Sequence, residues 1–214
     1  AAQIRYWARS YVGWSRIADA KPNAGHFAIA SAERLGQVQQ VITQNVDALH
    51  QAAGSKNVID LHGRLDTVRC MKCGAPMTRV HMDELLRELN PQIEKDANHE
   101  FTPDGDAEIE AAADFKIPSC PVCAGVLKPD VVFFGESVPQ SRVEFAMAKL
   151  DEAEALVVAG TSLTVNSGLR FARRAARAGK PIIIVNIGQT KADELATAKI
   201  EANTSLVLER LFID

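Results

Sequence analysis

Four cysteines in the sequence form two pairs whose spacing suits a metal ion. Cys70 and Cys73 make one Cys-x-x-Cys pair, and Cys120 and Cys123 make the other. Each pair can fold into a tight turn that directs both sulfurs at one ion, so two pairs complete a tetrahedral Zn²⁺ site. Four thiolates leave the ion no open position for water. We therefore predict one structural zinc ion that holds the surrounding segment together.

Three other chemistries use paired cysteines. Disulfides are typical of secreted chains, which this sequence does not resemble, and a thioredoxin-like redox pair leaves the second pair unexplained. Zinc deaminases require His-x-Glu and Pro-Cys-x-x-Cys, whereas here His62 is followed by Gly63 and Arg64, and Ser119 precedes Cys120. The structural zinc site is the interpretation that accounts for all four cysteines.

His62 lies eight residues before the first cysteine and is available for another task, because the four sulfurs saturate the ion. It ends an apolar run and stands beside a glycine, where an imidazole can reach a crevice. The other histidines occur in contexts typical of helix starts, packing or solvent; they are His26, His50, His81 and His99. An ordinary histidine pKa near 6.5 suits a general base at neutral pH. We predict that His62 transfers protons in a catalytic site.

Short apolar runs rich in Val and Ile predict the strands that position this histidine. They are VQQVIT (38–43), NVIDLHG (57–63), VVFF (131–134), ALVVAG (155–160) and PIIIVN (181–186). Such runs are typical of parallel strands buried on both faces. Helical patterns at 141–153 and 167–180 lie between the later runs. This order predicts an α/β fold with a Rossmann-like, doubly wound parallel sheet.

Residues 64–128 differ in composition from the rest of the chain. They hold all four cysteines, loop-like stretches such as PDGDAE (103–108), and one amphipathic segment, HMDELLREL (81–89). We predict a small zinc-binding domain inserted into the Rossmann-like domain, which would comprise 1–63 and 129–214.

Polar residues follow each of the predicted strands, at 44–47, 62–63, 135–136, 160–162 and 186–188. In open parallel sheets, ligands bind beyond the carboxyl ends of the strands. The hydroxyls and backbone N–H groups of 160–162, which precede a helix, suit a phosphate or ribose. Asn45, Asp47 and Asn186 suit a carboxamide or ribose. The pattern therefore predicts a nucleotide crevice that includes His62.

The composition favours small-molecule or peptide partners. The 24 Lys and Arg residues against 27 Asp and Glu residues give a net charge of −3, so no basic excess favours nucleic-acid binding. No apolar run approaches the ~18 residues that span a membrane, and residues 1–10 lack the layout of a signal peptide. We expect a cytoplasmic protein if the source is bacterial, or a mitochondrial matrix protein if it is eukaryotic.

Six motifs in order resemble those of the sirtuins. They are TQNVDALH (43–50), LHG (61–63), the two Cys-x-x-Cys pairs, KPDVVFFGE (128–136), GTSL (160–163) and VNIG (185–188). The resemblance implies NAD-dependent removal of acyl groups from lysine side chains of proteins or peptides. The acyl oxygen would attack C1′ of the nicotinamide ribose, nicotinamide would leave, and the acyl group would pass to ADP-ribose.

The resemblance also implies roles for individual residues. His62 would be the base that activates a ribose hydroxyl, with Asn45 and Asp47 also in the catalytic site. The NAD contacts would be Gln44, Asn45, Val46, Asp47, Gly160, Thr161, Ser162, Asn186, Ile187, Gly188 and Thr204. The acyl peptide would bind as an added strand along Val131, Val132, Phe133, Phe134, Gly135 and Glu136.

A narrower resemblance is to the class II sirtuins, the group that includes the mitochondrial sirtuin with weak deacetylase activity. It rests on RYWARSYVGW (5–14), the long insert with LNP (89–91) and PDGD (103–106), and NIGQTKADELA (186–196). Tyr6 and Arg9 match the Tyr-x-x-Arg spacing by which desuccinylating sirtuins bind an acidic acyl group; the alternative is an exposed pair on one helix. We expect the long insert to restrict the acyl channel.

One sirtuin motif has no match in residues 1–30. It is the glycine-rich turn GAG-x-S, followed by a Gly-Ile-Pro-Asp-Phe-Arg segment, which binds the NAD phosphates. We expect that an N-terminal segment has been cut off or omitted, and an intact mass near 23.2 kDa would count against this. Two alternative functions stay open: mono-ADP-ribosyl transfer, and a catalytically silent module that binds ADP-ribose or an acyl peptide.

Overall fold

The computed structural model describes residues 2–93 and 114–212. In chain order the helices are α1 (Ala2–Ala18), α2 (Ala24–Arg34), α3 (Leu49–Ala52), α4 (Arg79–Leu89), α5 (Gln140–Glu152), α6 (Asn166–Arg177) and α7 (Thr204–Phe212). The strands are β1 (Val41–Thr43), β2 (Val58–Asp60), β3 (Gly63–Cys70), β4 (Pro76–Thr78), β5 (Leu127–Val131), β6 (Leu156–Ala159), β7 (Ile182–Val185) and β8 (Ala198–Ile200). Within the described ranges, no helix is both long and apolar enough to cross a membrane.

The chain divides into two compact units. The cysteine unit comprises Ala1–Ala20 and Arg64–Val131, and the sheet unit comprises Lys21–Gly63 and Val132–Asp214. The inserted segment thus begins at the predicted residue and ends three residues later than predicted. Residues 1–20 differ from the prediction, which grouped them with the sheet. The predicted long loop, with PDGD and His99, falls largely at 94–113, outside the described residues.

The sheet unit contains parallel strands in two pieces. β1 pairs with β2, and β7 pairs with both β6 and β8, all in parallel. Four of the five predicted apolar runs each contain one of these strands, and the helices predicted at 141–153 and 167–180 correspond to α5 and α6. The predicted α/β class is therefore confirmed.

The core of the sheet unit forms where α6 covers the strands. Leu169, Phe171 and Ala172 of α6 lie in one buried cluster with Ile182 and Ile184 of β7. Burial of these apolar side chains stabilises the helix against the sheet. The packing fixes the first turn of α6 at the carboxyl ends of the strands.

The cysteine unit has a small sheet in the order β4-β3-β5, with β3 and β4 antiparallel. Helix α1 belongs here because its Trp7, Tyr11 and Val12 are buried in one cluster with Met82 and Leu86 of α4. The indole N–H of Trp7 also donates a hydrogen bond of 3.1 Å to a backbone oxygen of β5. These apolar contacts explain why residues 1–20 are not part of the sheet unit.

The prediction of a buried parallel strand at 131–134 was wrong. β5 ends at Val131 and lies beside β3 in the cysteine unit. The chain then turns at Gly135, whose φ of +89° suits glycine. The N–H of Glu136 donates to the Phe133 carbonyl at 2.9 Å, and the Phe133 N–H donates to the Glu136 carboxylate at 3.0 Å. Phe134 is consequently fully exposed.

Candidate active site

His62 lies two residues beyond the end of β2, half-buried and held on both sides of its ring. Its Nδ1 is 3.0 Å from the backbone oxygen of Gln44, and its Nε2 is 2.8 Å from Oγ of Ser167. Its own carbonyl accepts a 2.8 Å hydrogen bond from the N–H of Val132. The imidazole therefore has a fixed position and a fixed ring plane.

The hydrogen bonds of His62 determine its tautomer. A backbone carbonyl can only accept, so Nδ1 carries the proton of the neutral ring and Nε2 holds the free lone pair. Burial lowers the pKa of His62 below the ordinary 6.5; the hydrogen bond to Gln44 opposes this change, and the charge of Arg142 adds to it. At neutral pH the ring is uncharged, and Nε2 is its basic atom.

Gln44, which follows β1, lies in the same cluster. Its side-chain nitrogen is 3.3 Å from Ser167 Oγ, and its side-chain oxygen accepts from the hydroxyl of Thr161 at 3.4 Å. Gly168 leaves room for this amide, because a Cβ at that position would lie 2.6 Å from Gln44 Oε1. The structure thus brings together Gln44, His62 and Thr161, which come from three different strand ends.

Asn45 and Asp47 occupy the turn between β1 and α3. The N–H of Asn45 donates to Thr43 Oγ1 at 3.1 Å, and Asp47 Oδ1 accepts from the N–H of Leu49 at 3.0 Å. Asn45 is exposed, while Val46 and Asp47 are half-buried. Asp47 therefore helps to start the short helix α3, and the amide of Asn45 faces solvent.

The ends of β6 and β7 bring further predicted residues together. Gly160, at a φ of +63°, donates its N–H to the Val185 carbonyl at 3.0 Å, and Thr204 Oγ1 lies 3.5 Å from the same oxygen. Ser162 Oγ is 3.0 Å from Thr164 Oγ1. The first turn of α7 therefore lies against the end of β7, as a nucleotide crevice at the strand ends requires.

The turn after β7 is closed by its own polar groups. Asn186 donates its side-chain N–H to the Ile187 carbonyl at 2.9 Å. The N–H of Gly188, at a φ of +81°, donates to the Glu201 carboxylate at 3.2 Å. Glu201 was not predicted as a site residue, and Ser167 was predicted only as the start of a helix. A signal for Ser167 was its place four residues after the GTSL motif (160–163), in the first turn of the helix that follows.

The predicted peptide-binding residues fall into two groups. Val131 is buried in β5, and residues 132–136 form the turn that touches His62 through the N–H of Val132. Tyr6 and Arg9 belong to α1 in the cysteine unit. Tyr6 packs edge-on against Trp7, with ring centroids 5.3 Å apart, and Arg9 is exposed.

The four cysteine sulfurs form one cluster in the cysteine unit, all within 4.8 Å of one another. Cys70 and Cys123 are 3.5 Å apart, and Cys73 and Cys120 are 3.8 Å apart. Zn–S bonds of about 2.3 Å in a tetrahedron place sulfurs roughly 3.8 Å apart. The cluster therefore has the ligand set and the size of a four-thiolate zinc site.

The pKa values of two of these thiols also indicate that a bound cation is needed for all four to ionise. Hydrogen bonds, that of the Cys73 backbone foremost, lower the pKa of Cys70 to about 6. The neighbouring Cys73 side chain contributes most to raising the pKa of Cys123 to about 12. Thiolates this close repel each other, so all four can ionise together only around a positive ion.

The comparison with known families decides the identity of the chain. A model of the Sir2 family matches residues 2–167. The chain belongs to the Sir2 family. This confirms, at the family level, the resemblance to sirtuins that the ordered motifs indicate.

Named relatives and solved structures agree with membership of the Sir2 family. The NAD-dependent protein deacetylase of Xanthomonas campestris pv. campestris (strain 8004) is 54% identical over 206 residues, 95% of this chain and 70% of that protein. A solved structure of Sir2 with a p53 peptide and NAD+ has a TM-score of 0.73 and 30% identity, covering 92% of this chain and 71% of that one. A structure of Sir2Tm bound to a propionylated peptide has a TM-score of 0.73 and 31% identity, covering 92% and 72%.

Proposed function

We propose that this sirtuin removes acyl groups from lysine side chains of proteins, using NAD, and passes the acyl group to ADP-ribose with release of nicotinamide. Membership of the Sir2 family and relatives named as NAD-dependent protein deacetylases support this function. The structural observation that carries it is His62, a half-buried neutral imidazole whose basic Nε2 lies among three strand ends.

The residues at the strand ends fit NAD by their chemistry. Gly160 and Gly188 bring backbone close to the surface, and a Cβ at Gly188 would meet nothing within 4 Å. The proposed contacts to the phosphates and ribose are Gly160, Thr161 and Ser162, those to the adenosine ribose are Asn186, Ile187 and Gly188, and the contact to the adenine is near Thr204. Those to nicotinamide and its ribose are Gln44, Asn45, Val46 and Asp47. Bound NAD would supply an electrophilic ribose carbon and a neutral leaving group.

The residues of the protein would orient the ribose and the nicotinamide and would move a proton from a ribose hydroxyl. His62 Nε2 would take a proton from a ribose hydroxyl, because the Gln44 carbonyl keeps the ring proton on Nδ1. Asn45, with its exposed amide, and Asp47 would orient the reacting ribose and nicotinamide. The lowered pKa of His62 keeps this base unprotonated at neutral pH.

We propose that residues 131–136 bind the acyl peptide by backbone hydrogen bonds. Val132 is bonded to the carbonyl of His62, so this turn lies next to the proposed base. Beyond Val131 the segment is no longer in a strand, and Phe134 is exposed. An extended peptide along this segment would present its acyl-lysine near His62 without strict dependence on the surrounding peptide sequence.

We further propose that the chain is a class II sirtuin and that Tyr6 and Arg9 bind an acidic acyl group. The exposed guanidinium of Arg9, one turn from Tyr6 on α1, supports this proposal. Arg9→Ala should reduce turnover of a succinyl-lysine peptide and leave turnover of an acetyl-lysine peptide unchanged.

We also propose that the protein is located in the bacterial cytoplasm. Bacterial relatives such as the Xanthomonas protein support this location, which subcellular fractionation tests.

The function is tested by nicotinamide release in the presence of NAD and a panel of acyl-lysine peptides. We expect release that depends on the acyl peptide and that is lost at steady state in His62→Ala. Release without acyl peptide would instead indicate ADP-ribosyl transfer or plain NAD hydrolysis. NAD or peptide binding without any release would indicate a silent binding module.

A further inference from the structure

The polar groups around His62 form a hydrogen-bond chain that has a single direction. The Gln44 carbonyl accepts from Nδ1–H, so Nε2 must accept, and the hydroxyl of Ser167 must donate to it over 2.8 Å. Ser167 Oγ then accepts from the Gln44 side-chain N–H at 3.3 Å, and Gln44 Oε1 accepts from the Thr161 hydroxyl at 3.4 Å. Every donor in this series has one acceptor, and reversal would leave two acceptors, the Nδ1 lone pair and the Gln44 carbonyl, facing each other.

The first turn of α6 supplies two residues that contact this series of hydrogen bonds. A serine in the first helical turn often bonds backbone of its own turn, whereas the hydroxyl of Ser167 lies 2.8 Å from Nε2 of His62. Ser167 is buried, with 7% of its surface exposed, and its hydroxyl is directed at His62. The next residue, Gly168, leaves the space that the Gln44 amide occupies. Two consecutive residues of α6 thus serve His62 and Gln44.

We propose that Ser167 is a positioning residue for the base of the reaction. Its hydroxyl donates to Nε2 of His62 and, with the Gln44 carbonyl on Nδ1, holds the ring in one orientation, which sets the direction of the basic lone pair. For Nε2 to take a proton from a substrate hydroxyl, the Ser167 hydroxyl first rotates away and frees the single lone pair of Nε2; after the substrate oxygen has moved off, Ser167 Oγ accepts a hydrogen bond from Nε2–H. No proton leaves the serine, so atoms and charge balance within the transfer to His62. This inference rests on the proposed function.

Removal of the hydroxyl has a predictable sign. A donor on Nε2 stabilises the neutral ring, so Ser167→Ala should raise the pKa of His62. Among the side chains in contact, Gln44 after β1 and Ser167 on α6 are uncharged, and Arg142 on α5 is the charged group that acts on the ring. Arg142 is unchanged in the variant and leaves the sign as stated.

The decisive experiment is a long-range ¹H–¹⁵N NMR titration of the His62 imidazole in the full chain, with assignment by a His62→Gln variant. We expect the Nδ1–H tautomer in the wild type and in both variants, because the Gln44 carbonyl is retained, together with a higher pKa of His62 in Ser167→Ala and a wild-type pKa in Ser167→Thr. Ser55→Ala is the matched control, because Ser55 is a buried serine of the same unit whose Oγ has no hydrogen-bond partner among described residues. An unchanged pKa of His62 in Ser167→Ala, or equal pKa values in the Ala and Thr variants, would overturn the proposal.

A kinetic measurement separates this inference from the proposed function. In Ser167→Ala we expect kcat for acyl-peptide turnover to fall about tenfold, roughly the effect of one lost hydrogen bond, while KM for NAD stays unchanged. The midpoint of the low-pH limb of the activity profile should move to higher pH. Wild-type kinetics in Ser167→Ala would count against the positioning role. A wild-type chain without any turnover would refute the deacylase function, whereas the NMR titration would still decide what Ser167 does to His62.

Discussion

The proposed role of His62 depends on neighbours that its residue type alone does not give. Its position at the carboxyl end of a strand could be predicted, because it follows an apolar run and precedes a glycine. Its partner Ser167 lies 105 positions away in the chain, and no local pattern pairs two such residues. The cysteines were easier to interpret, since each Cys-x-x-Cys pair carries its geometry within four residues. Short-range spacing was therefore sufficient for the metal site and insufficient for the neighbours of the base.

Gly168 offers a test of the amide that supports this site. In Gly168→Ala the new Cβ would lie 2.6 Å from Oε1 and 3.0 Å from Nε2 of Gln44, so the amide must move and release both of its hydrogen bonds. We expect kcat/KM for NAD-dependent turnover to fall about tenfold or more, because small displacements in a catalytic site have large effects. Steady-state kinetics and thermal unfolding measure the two consequences separately.

The neighbouring Asn166→Ala is the control for this substitution, because Asn166 is exposed on the same helical turn. It should keep wild-type kinetics. Full activity in Gly168→Ala, with a Gln44 amide in its original place, would contradict the proposed support of the site.

The pH dependence of the reaction is a second prediction at the residue scale. A base works in its unprotonated form, and burial lowers the pKa of His62 below 6.5. The low-pH limb of kcat/KM should therefore have its midpoint below pH 6.5, with activity lost as the pH falls through that midpoint. A profile of kcat/KM from pH 5 to pH 9 checks this, and a midpoint well above pH 7 would exclude the neutral, buried imidazole as the base.

At the scale of elements, apolar patterning predicted the strands where both of their faces are covered. The runs that contain β6 and β7 became parallel strands under α6. The equally apolar run at 131–134 did not become a parallel strand, because the chain turns at its end, through Gly135, and Glu136 bonds back to Phe133. Helix α1 was assigned to the wrong neighbours for a related reason: its buried face is amphipathic, and no property of the sequence shows whether Trp7 packs on a sheet or on α4.

Gly125 tests the cysteine cluster as an element of the fold. A Cβ there would lie 2.7 Å from Lys72 Cβ and 2.9 Å from Cys70 Sγ, so Gly125→Ala should push the two Cys-x-x-Cys turns apart. We expect less than one zinc ion per chain in the variant, against one in the wild type, and a lower unfolding temperature of the cysteine unit. Elemental analysis and thermal unfolding are the measurements.

Val122→Ala is the matched control in the same turn, since Val122 is 73% exposed and lies between two of the cysteines. It should retain zinc at the wild-type level. A chelator should unfold the cysteine unit of the wild type, and zinc loss without loss of structure would contradict a structural ion.

At the scale of the whole molecule, the proposed base and the cysteine cluster lie in different units. His62 and Cys70 are eight residues apart in sequence, yet they belong to different units, because the chain passes from the sheet unit to the cysteine unit after Gly63. The order of motifs along the chain predicted an insert at 64–128, and the cysteine unit includes Arg64–Val131. It did not show that the first twenty residues belong to the cysteine unit, since that grouping depends on contacts with α4, more than sixty positions further along the chain.

The central claim is that the acyl group of a lysine side chain is transferred to ADP-ribose with His62 as the base. The measurement that tests it most directly is mass spectrometry of all products after incubation with NAD and one acyl-lysine peptide, for the wild type and for His62→Ala. We predict equal amounts of deacylated peptide, nicotinamide and O-acyl-ADP-ribose from the wild type, and a loss on the order of 100-fold or more in the variant. An ADP-ribosylated peptide that keeps its acyl group, or full product formation by His62→Ala, would contradict the account.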